Sequence, residues 1–141
     1  MTNGKKILLL VLMILAAASV SAVIYLESLK PDNLEEFTEQ NKEAADMIES
    51  FCETSYDGSR MTAEIKGNNI TYMYKYNEDI EEDIEEQLKD QFDVYADSMS
   101  EAYGRVIESL ERQSGFDDIS ITLVFADNEG NEMYKKVFGE K

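Results

Sequence analysis

The chain has 141 residues, with 30 acidic side chains against 13 basic ones and a formal net charge of −17 at pH 7. A surface so acidic repels nucleic acid and anionic lipid headgroups, so DNA, RNA and peripheral lipid binding are disfavoured. With no histidine and a single cysteine, Cys52, Ser-His and Cys-His catalysis are excluded, the commonest zinc ligand is missing and no intrachain disulfide can form.

At the N-terminus, Lys5 and Lys6 precede twenty consecutive uncharged, mostly apolar residues, Ile7 to Leu26. A helix of that length spans about 30 Å, roughly the hydrocarbon thickness of a bilayer. A cleaved signal peptide usually has a shorter apolar region, about 7–15 residues, ending in small side chains. Residues Ala16 to Ala22 supply such small side chains, and Val20-Ser21-Ala22 reads as a peptidase site. The apolar run nevertheless continues through Val23-Ile24-Tyr25-Leu26, where Tyr25 suits a membrane interface. Length favours an uncleaved transmembrane signal-anchor, with a cleaved signal peptide as the alternative. Either way residues 1–6 form a cytoplasmic n-region, the membrane is the partner of Ile7–Leu26, and everything beyond is extracytoplasmic, or secreted if the signal is cleaved.

Residues 27–33 read as a tether, because Pro31, the only proline, and Asp32-Asn33 break any continuation of the apolar helix. Residues 34–141 then form one acidic extracytoplasmic domain of ordinary size. Asp32 or Asn33 caps a first helix with Glu35 and Glu36 in its opening turn. Its apolar positions are Leu34, Phe37, Ala44, Ala45, Met47, Ile48, Phe51 and Cys52, and Asp57-Gly58 ends it. Cys52 lies on that apolar face as a small buried hydrophobe, too far from Leu26 for lipid attachment.

Met61, Ala63 and Ile65 alternate with Thr62, Glu64 and Lys66, and Ile70, Tyr72, Tyr74 and Tyr76 share one face after Gly67-Asn68-Asn69. Two alternating runs joined by glycine and asparagine predict a hairpin. Asp79 with Glu82 resembles a capping box, and apolar residues recur at three and four positions from Ile80 to Leu110. That stripe fits a coiled-coil seam or a helix laid along a sheet, and the flanking strands favour the second. Gly104 is a candidate kink. A second hairpin follows, with Ile119, Ile121, Leu123 and Phe125 on one face, a turn through Asp127 to Asn131, and a return over Met133 to Phe138. The expected fold is α+β: an αββαββ two-layer sandwich in which helices cover an antiparallel four-stranded sheet, behind one N-terminal transmembrane helix.

This order, the strand Ile70-Thr71-Tyr72-Met73-Tyr74-Lys75-Tyr76, and Asp127-Asn128-Glu129-Gly130 ahead of Tyr134 and Val137-Phe138 resemble a domain of unknown function. That family occurs in small acidic exported proteins and lipoproteins of Gram-positive bacteria. The resemblance implies no activity and no functional residues, and the missing lipid-attachment cysteine means that lipid anchoring does not carry over.

Three candidate sites remain. The oxygen-rich loop Asp127-Asn128-Glu129-Gly130-Asn131-Glu132 could hold a cation, yet it lacks the spacing of a calcium loop, and a hairpin turn explains it better. Asn69-Ile70-Thr71 matches a glycosylation acceptor inside a hairpin. Tyr72, Tyr74 and Tyr76 could form a stacking platform for sugar or peptide, although such stripes more often pack under a helix. No catalytic residue, metal or cofactor is expected. The sequence favours a non-enzymatic, membrane-anchored interaction module that binds a cell-surface protein, peptide or wall polymer through the sheet or the tyrosine stripe. The alternative is a small carboxylate-dependent hydrolase acting on cell-wall material, its acids not distinguishable among the 30.

Overall fold

A computed structural model describes residues 30–52 and 59–139. The chain divides into two compact units, Met1–Pro31 and Asp32–Lys141; the apolar run Ile7–Leu26 and the Asp57-Gly58 helix end lie outside the described residues. Among the described residues, no helix is long and apolar enough to cross a membrane.

The domain starts where Asn33, in extended backbone, turns its side chain onto the Glu36 N–H at 3.0 Å and caps α1, Leu34–Gln40. Glu36 reaches back to accept the Asp32 N–H at 2.8 Å, so donors on both sides of the cap are satisfied. The apolar pattern predicts a single helix from residue 34 to about 52, but the structure breaks it. Asn41 adopts extended backbone (φ −132°, ψ 94°) and caps a separate α2, Lys42–Glu49, by accepting the Ala44 N–H at 3.2 Å. Asparagine competes for backbone donors, which favours a cap over a helix interior.

Strands β1, Met61–Lys66, and β2, Asn69–Lys75, form the expected hairpin, with Lys66 opposite Asn69. Gly67 takes φ +58° in the two-residue turn, a conformation closed to most side chains. Helix α3 runs unbroken from Glu82 to Ser114. It begins three residues after Asp79, so the expected capping box does not form, and its N-cap Glu81 makes no side-chain cap bond. Gly104 does not break it, and a Cβ added there would meet nothing within 4 Å. Gly104→Ala is therefore expected to raise stability by about 0.5–1 kcal/mol, measurable as a higher denaturation midpoint.

Strands β3, Ser120–Ala126, and β4, Glu132–Phe138, close the chain. Tyr134 faces Phe125 while Glu132 faces Ala126. Met133 is thus the extra residue of a bulge, and it turns into the core at 7 % exposure.

The sheet order is β1-β2-β3-β4, and it is mixed rather than antiparallel: the hairpins are antiparallel, but β2 and β3 run parallel, with Tyr72 beside Leu123 and Tyr74 beside Phe125. The cause is α3. A helix returning the chain along its own length delivers the next strand in the same direction, and parallel neighbours require such a crossover. All three helices pack on one face of the sheet. Ile70 and Tyr72 of β2 and Ile121, Leu123 and Phe125 of β3 meet Leu34, Ala44, Ile48, Phe92, Ala96, Tyr103 and Leu110. The α+β class and the two layers are as expected.

Candidate functional site

The tyrosine stripe faces the helices and is core. Tyr72 is fully buried, its hydroxyl donates to the Ile48 carbonyl at 2.7 Å, and its ring stacks on Tyr103 with centroids 5.4 Å apart and planes 7° apart. Phe51 meets both rings edge-on. Tyr74 and Tyr76 are half-buried and lie in ring contact with each other, Phe125 and Phe92. These contacts tie the stripe into the packing between sheet and helices.

The Tyr103 hydroxyl is buried and has no hydrogen-bond partner among the described residues. Burial, and after it the neighbouring Tyr95 phenol, raise its pKa far above the ordinary range without supplying a bond of acceptable geometry. Removing an unpaired buried hydroxyl strands no partner. Tyr103→Phe is therefore expected to be neutral or slightly stabilising, whereas Tyr72→Phe, which forfeits the bond to Ile48, lowers stability by about 1 kcal/mol. Paired urea titrations check the contrast.

At the β4 edge, the Tyr134 hydroxyl donates to Asp93 at 2.8 Å and Lys136 pairs with Asp97 at 2.9 Å, tying the strand to α3. Burial, then the Asp93 bond and the charges of Asp93 and Asp97, push the Tyr134 pKa up to about 12. Tyr72 is raised further, chiefly by burial. These phenols stay neutral in the folded chain above pH 10, where an unfolded phenol ionises. Their contribution is thus complete below pH 10 and is lost as pH rises through the folded pKa values. Thermal midpoints are expected to hold to about pH 10 and fall beyond it; a flat profile to pH 12 contradicts the assignment.

The remaining candidates close on themselves. One Asp127 oxygen accepts the N–H groups of Glu129 at 3.0 Å and Asn131 at 2.8 Å, and the other accepts the Asn131 amide at 3.1 Å. Desolvation is the largest single influence and opposes ionisation, but those bonds and one from Gly130 together outweigh it and lower the Asp127 pKa. The leading carboxylate of the Asp127–Glu132 loop is engaged in its own turn. No group of three His, Cys, Asp or Glu among the described residues could hold a metal ion. The Asn69 amide donates to Ser120 Oγ at 2.9 Å and Thr122 Oγ1 at 3.0 Å, which commits the glycosylation match to pinning β2 on β3. Cys52 is half-buried; desolvation, then Glu49, raise its thiol pKa against a smaller lowering by Arg60. Such a thiol is a poor nucleophile.

Helix α3 carries what the pattern did not separate. Its 33 residues extend about 50 Å, whereas seven-residue strands extend about 23 Å. No side chain from Glu82 to Gln91 is buried, and Phe92 is the first that is. Along this first half Ile84 is 41 % exposed, Tyr95 38 % and Val94 70 %, while Leu88 and Met99 are half-buried against the core. The segment from Glu78 to Glu101 carries eleven carboxylates and one basic residue, Lys89. An open depression of about 460 Å³ is lined, among the described residues, by Glu82, Asp83 and Glu86. These acids stand side by side on one helix, whereas two-carboxylate glycoside hydrolysis sets its pair on either side of the scissile bond. The strip was hidden in the sequence because its residues continue the core stripe; the mismatch between helix and strand lengths is the signal that finds it.

No curated protein and no solved structure matches the chain. A family model described as a domain of unknown function, DUF4854, matches residues 34–138, the span from the first residue of α1 to the last of β4. With three-quarters of its length matched, the chain belongs to the DUF4854 family.

Proposed function

We propose that this protein is a non-enzymatic interaction module, anchored by Ile7–Leu26 and displaying its DUF4854 domain on the extracytoplasmic side of the membrane. The observation that carries the binding role is the strip on α3, where apolar side chains stay at the surface of a strongly acidic helix. Lys5 and Lys6 ahead of a bilayer-length apolar run support the anchor and its orientation.

Two measurements test this reading. Protease applied to intact cells is expected to remove the domain, while a membrane fraction retains the untreated chain. Protection in intact cells overturns the orientation, and a mature protein that begins near Val23 replaces the anchor with a cleaved signal. Capture from cell-surface extract with the full chain in neutral detergent is expected to retain a partner that Ile84→Glu releases. Equal retention by both chains removes the α3 strip from the binding role.

A further inference from the structure

We propose that Ile84, Leu88, Tyr95 and Met99 form a docking surface for a cationic amphipathic helix of a partner protein. This rests on the interaction-module reading and adds the chemistry of the partner.

At 100° per residue, these four positions fall within about 60° of the α3 surface and span about 22 Å, four turns of helix. The buried positions Phe92, Ala96, Tyr103, Val106, Ile107 and Leu110 centre roughly 60–70° further round, with Val106, in the second half of the helix, the one that falls within the arc of the strip. The apolar arc of α3 is therefore wider than the sheet fully covers, and the strip is its partly covered shoulder: Ile84 and Tyr95 are 41 % and 38 % exposed, Tyr95 with its ring edge-on to Phe125, and Leu88 and Met99 are half-buried against the core. A straight, four-turn apolar line is the shape that an amphipathic helix reads with anchors at three- and four-residue spacing.

Charge decides the occupant. The strip runs through a segment that carries eleven carboxylates from Glu78 to Glu101 and a single basic residue, Lys89, with Asp97 and Glu101 paired to Lys136 and Arg105 beyond it. Asp93 and Asp97 are drawn to Tyr134 and Lys136 on the β4 side; Glu81, Glu82, Asp83, Glu85, Glu86 and Asp90 remain along the overhanging half. A second copy of this helix would bring the same negative charge into contact, and an anionic lipid surface is repelled in the same way. A helix with Lys or Arg flanking its apolar face instead gains both burial and long-range attraction.

The test uses the full chain in neutral detergent micelles and three fluorescent peptides of about fifteen residues. These are an amphipathic Leu/Lys helix, the same helix with Glu for Lys, and a scrambled Leu/Lys sequence. The first is expected to bind and the other two are not, with affinity falling as salt is raised. Ile84→Glu and Tyr95→Glu are each expected to weaken binding at least about tenfold against the unsubstituted chain in the same micelles. Each substitution adds a negative charge, so charge alone would strengthen binding, and weakening reports the lost apolar contact. Ile84 is 41 % exposed, and an unchanged melting midpoint for Ile84→Glu confirms that the fold persists; Tyr95 also meets the Phe125 ring edge-on, so a lowered midpoint is expected for Tyr95→Glu and its binding is measured well below that midpoint. Affinity unchanged by the substitutions, or equal binding of the scrambled peptide, overturns the proposal. If no peptide binds while Ile84→Glu still releases a captured surface partner, the cationic-helix assignment fails and the interaction module stands. Failure of both removes both.

Discussion

Replacing Phe92 with alanine is expected to lower the stability of the domain by about 3–5 kcal/mol, the largest effect of any single substitution considered. Phe92 is 3 % exposed and stacks on Phe125, with ring centroids 4.1 Å apart and planes 11° apart. Its edges meet Tyr76 of the β2 end and Tyr134 of β4. Deleting the ring therefore opens a cavity bordered by three other aromatic side chains, which are too rigid to collapse into it. Phe92 is also the first buried residue of α3, where the overhanging half meets the core. Denaturant unfolding is expected to show a large fall in midpoint, and hydrogen exchange an added loss of protection from Glu82 to Gln91. A loss below about 1 kcal/mol contradicts this account, because filling of the site by neighbouring rings would be needed to explain it. Phe92→Leu, which keeps most of the volume, is expected to lose about 1.5 kcal/mol or less.

The alternation of Met61 to Tyr76 and of Ile119 to Phe125 made both hairpins legible, because a period of two follows directly from the pleat. The parallel join of β2 to β3 was not legible from strand patterns, since a strand reads the same in either direction; only the helical crossover fixes it. Asn41 does not stand out as a break in the sequence, because Phe37, Ala44 and Ile48 keep a near-helical spacing across it. Tyr72, Tyr74 and Tyr76 could be read as platform or core, and α3, lying over that face, makes them core. Gly139 shows what periodicity does not reach. It adopts φ +81°, and an added Cβ would come within 2.6 Å of Ile107 Cδ1 and 3.0 Å of the Ile119 carbonyl. That close approach joins the chain end to α3 and exists only in three dimensions. The functional strip was half legible: its residues stood out as apolar, but which of them the sheet would fail to cover depended on where α3 begins to overhang.

Replacing Asn68 with alanine is expected to cost about 2–3 kcal/mol, although the residue sits in a hairpin turn where substitutions are usually mild. Its side-chain oxygen accepts the Leu34 N–H at 2.7 Å, its amide donates to Asp118 at 2.5 Å, and its carbonyl accepts the Ser120 N–H at 3.1 Å. Beside it, the Gly67 carbonyl accepts the Glu35 N–H at 3.0 Å and the Gly67 N–H donates to the Glu35 carboxylate at 3.1 Å. The turn thus caps α1 with groups from another part of the chain, and Asn33 supplies only the third donor's partner. Alanine leaves the N–H of fully buried Leu34 unpaired and strips Asp118 of its donor, while the backbone bond to Ser120 survives. Asn68→Asp separates the two roles. It keeps the acceptor for Leu34 but sets a second carboxylate against Asp118, so at neutral pH like-charge repulsion replaces a charge-assisted bond. Its stability is expected to fall at pH 7 and to recover toward that of the unsubstituted chain below about pH 4, where a shared proton restores a donor between the two carboxyls. Asn68→Ala has no such proton to gain and is expected to show no recovery. Urea midpoints of both variants from about pH 3 to pH 8 decide the matter: parallel pH profiles would mean that Asn68 acts only as a cap and that its bond to Asp118 contributes nothing.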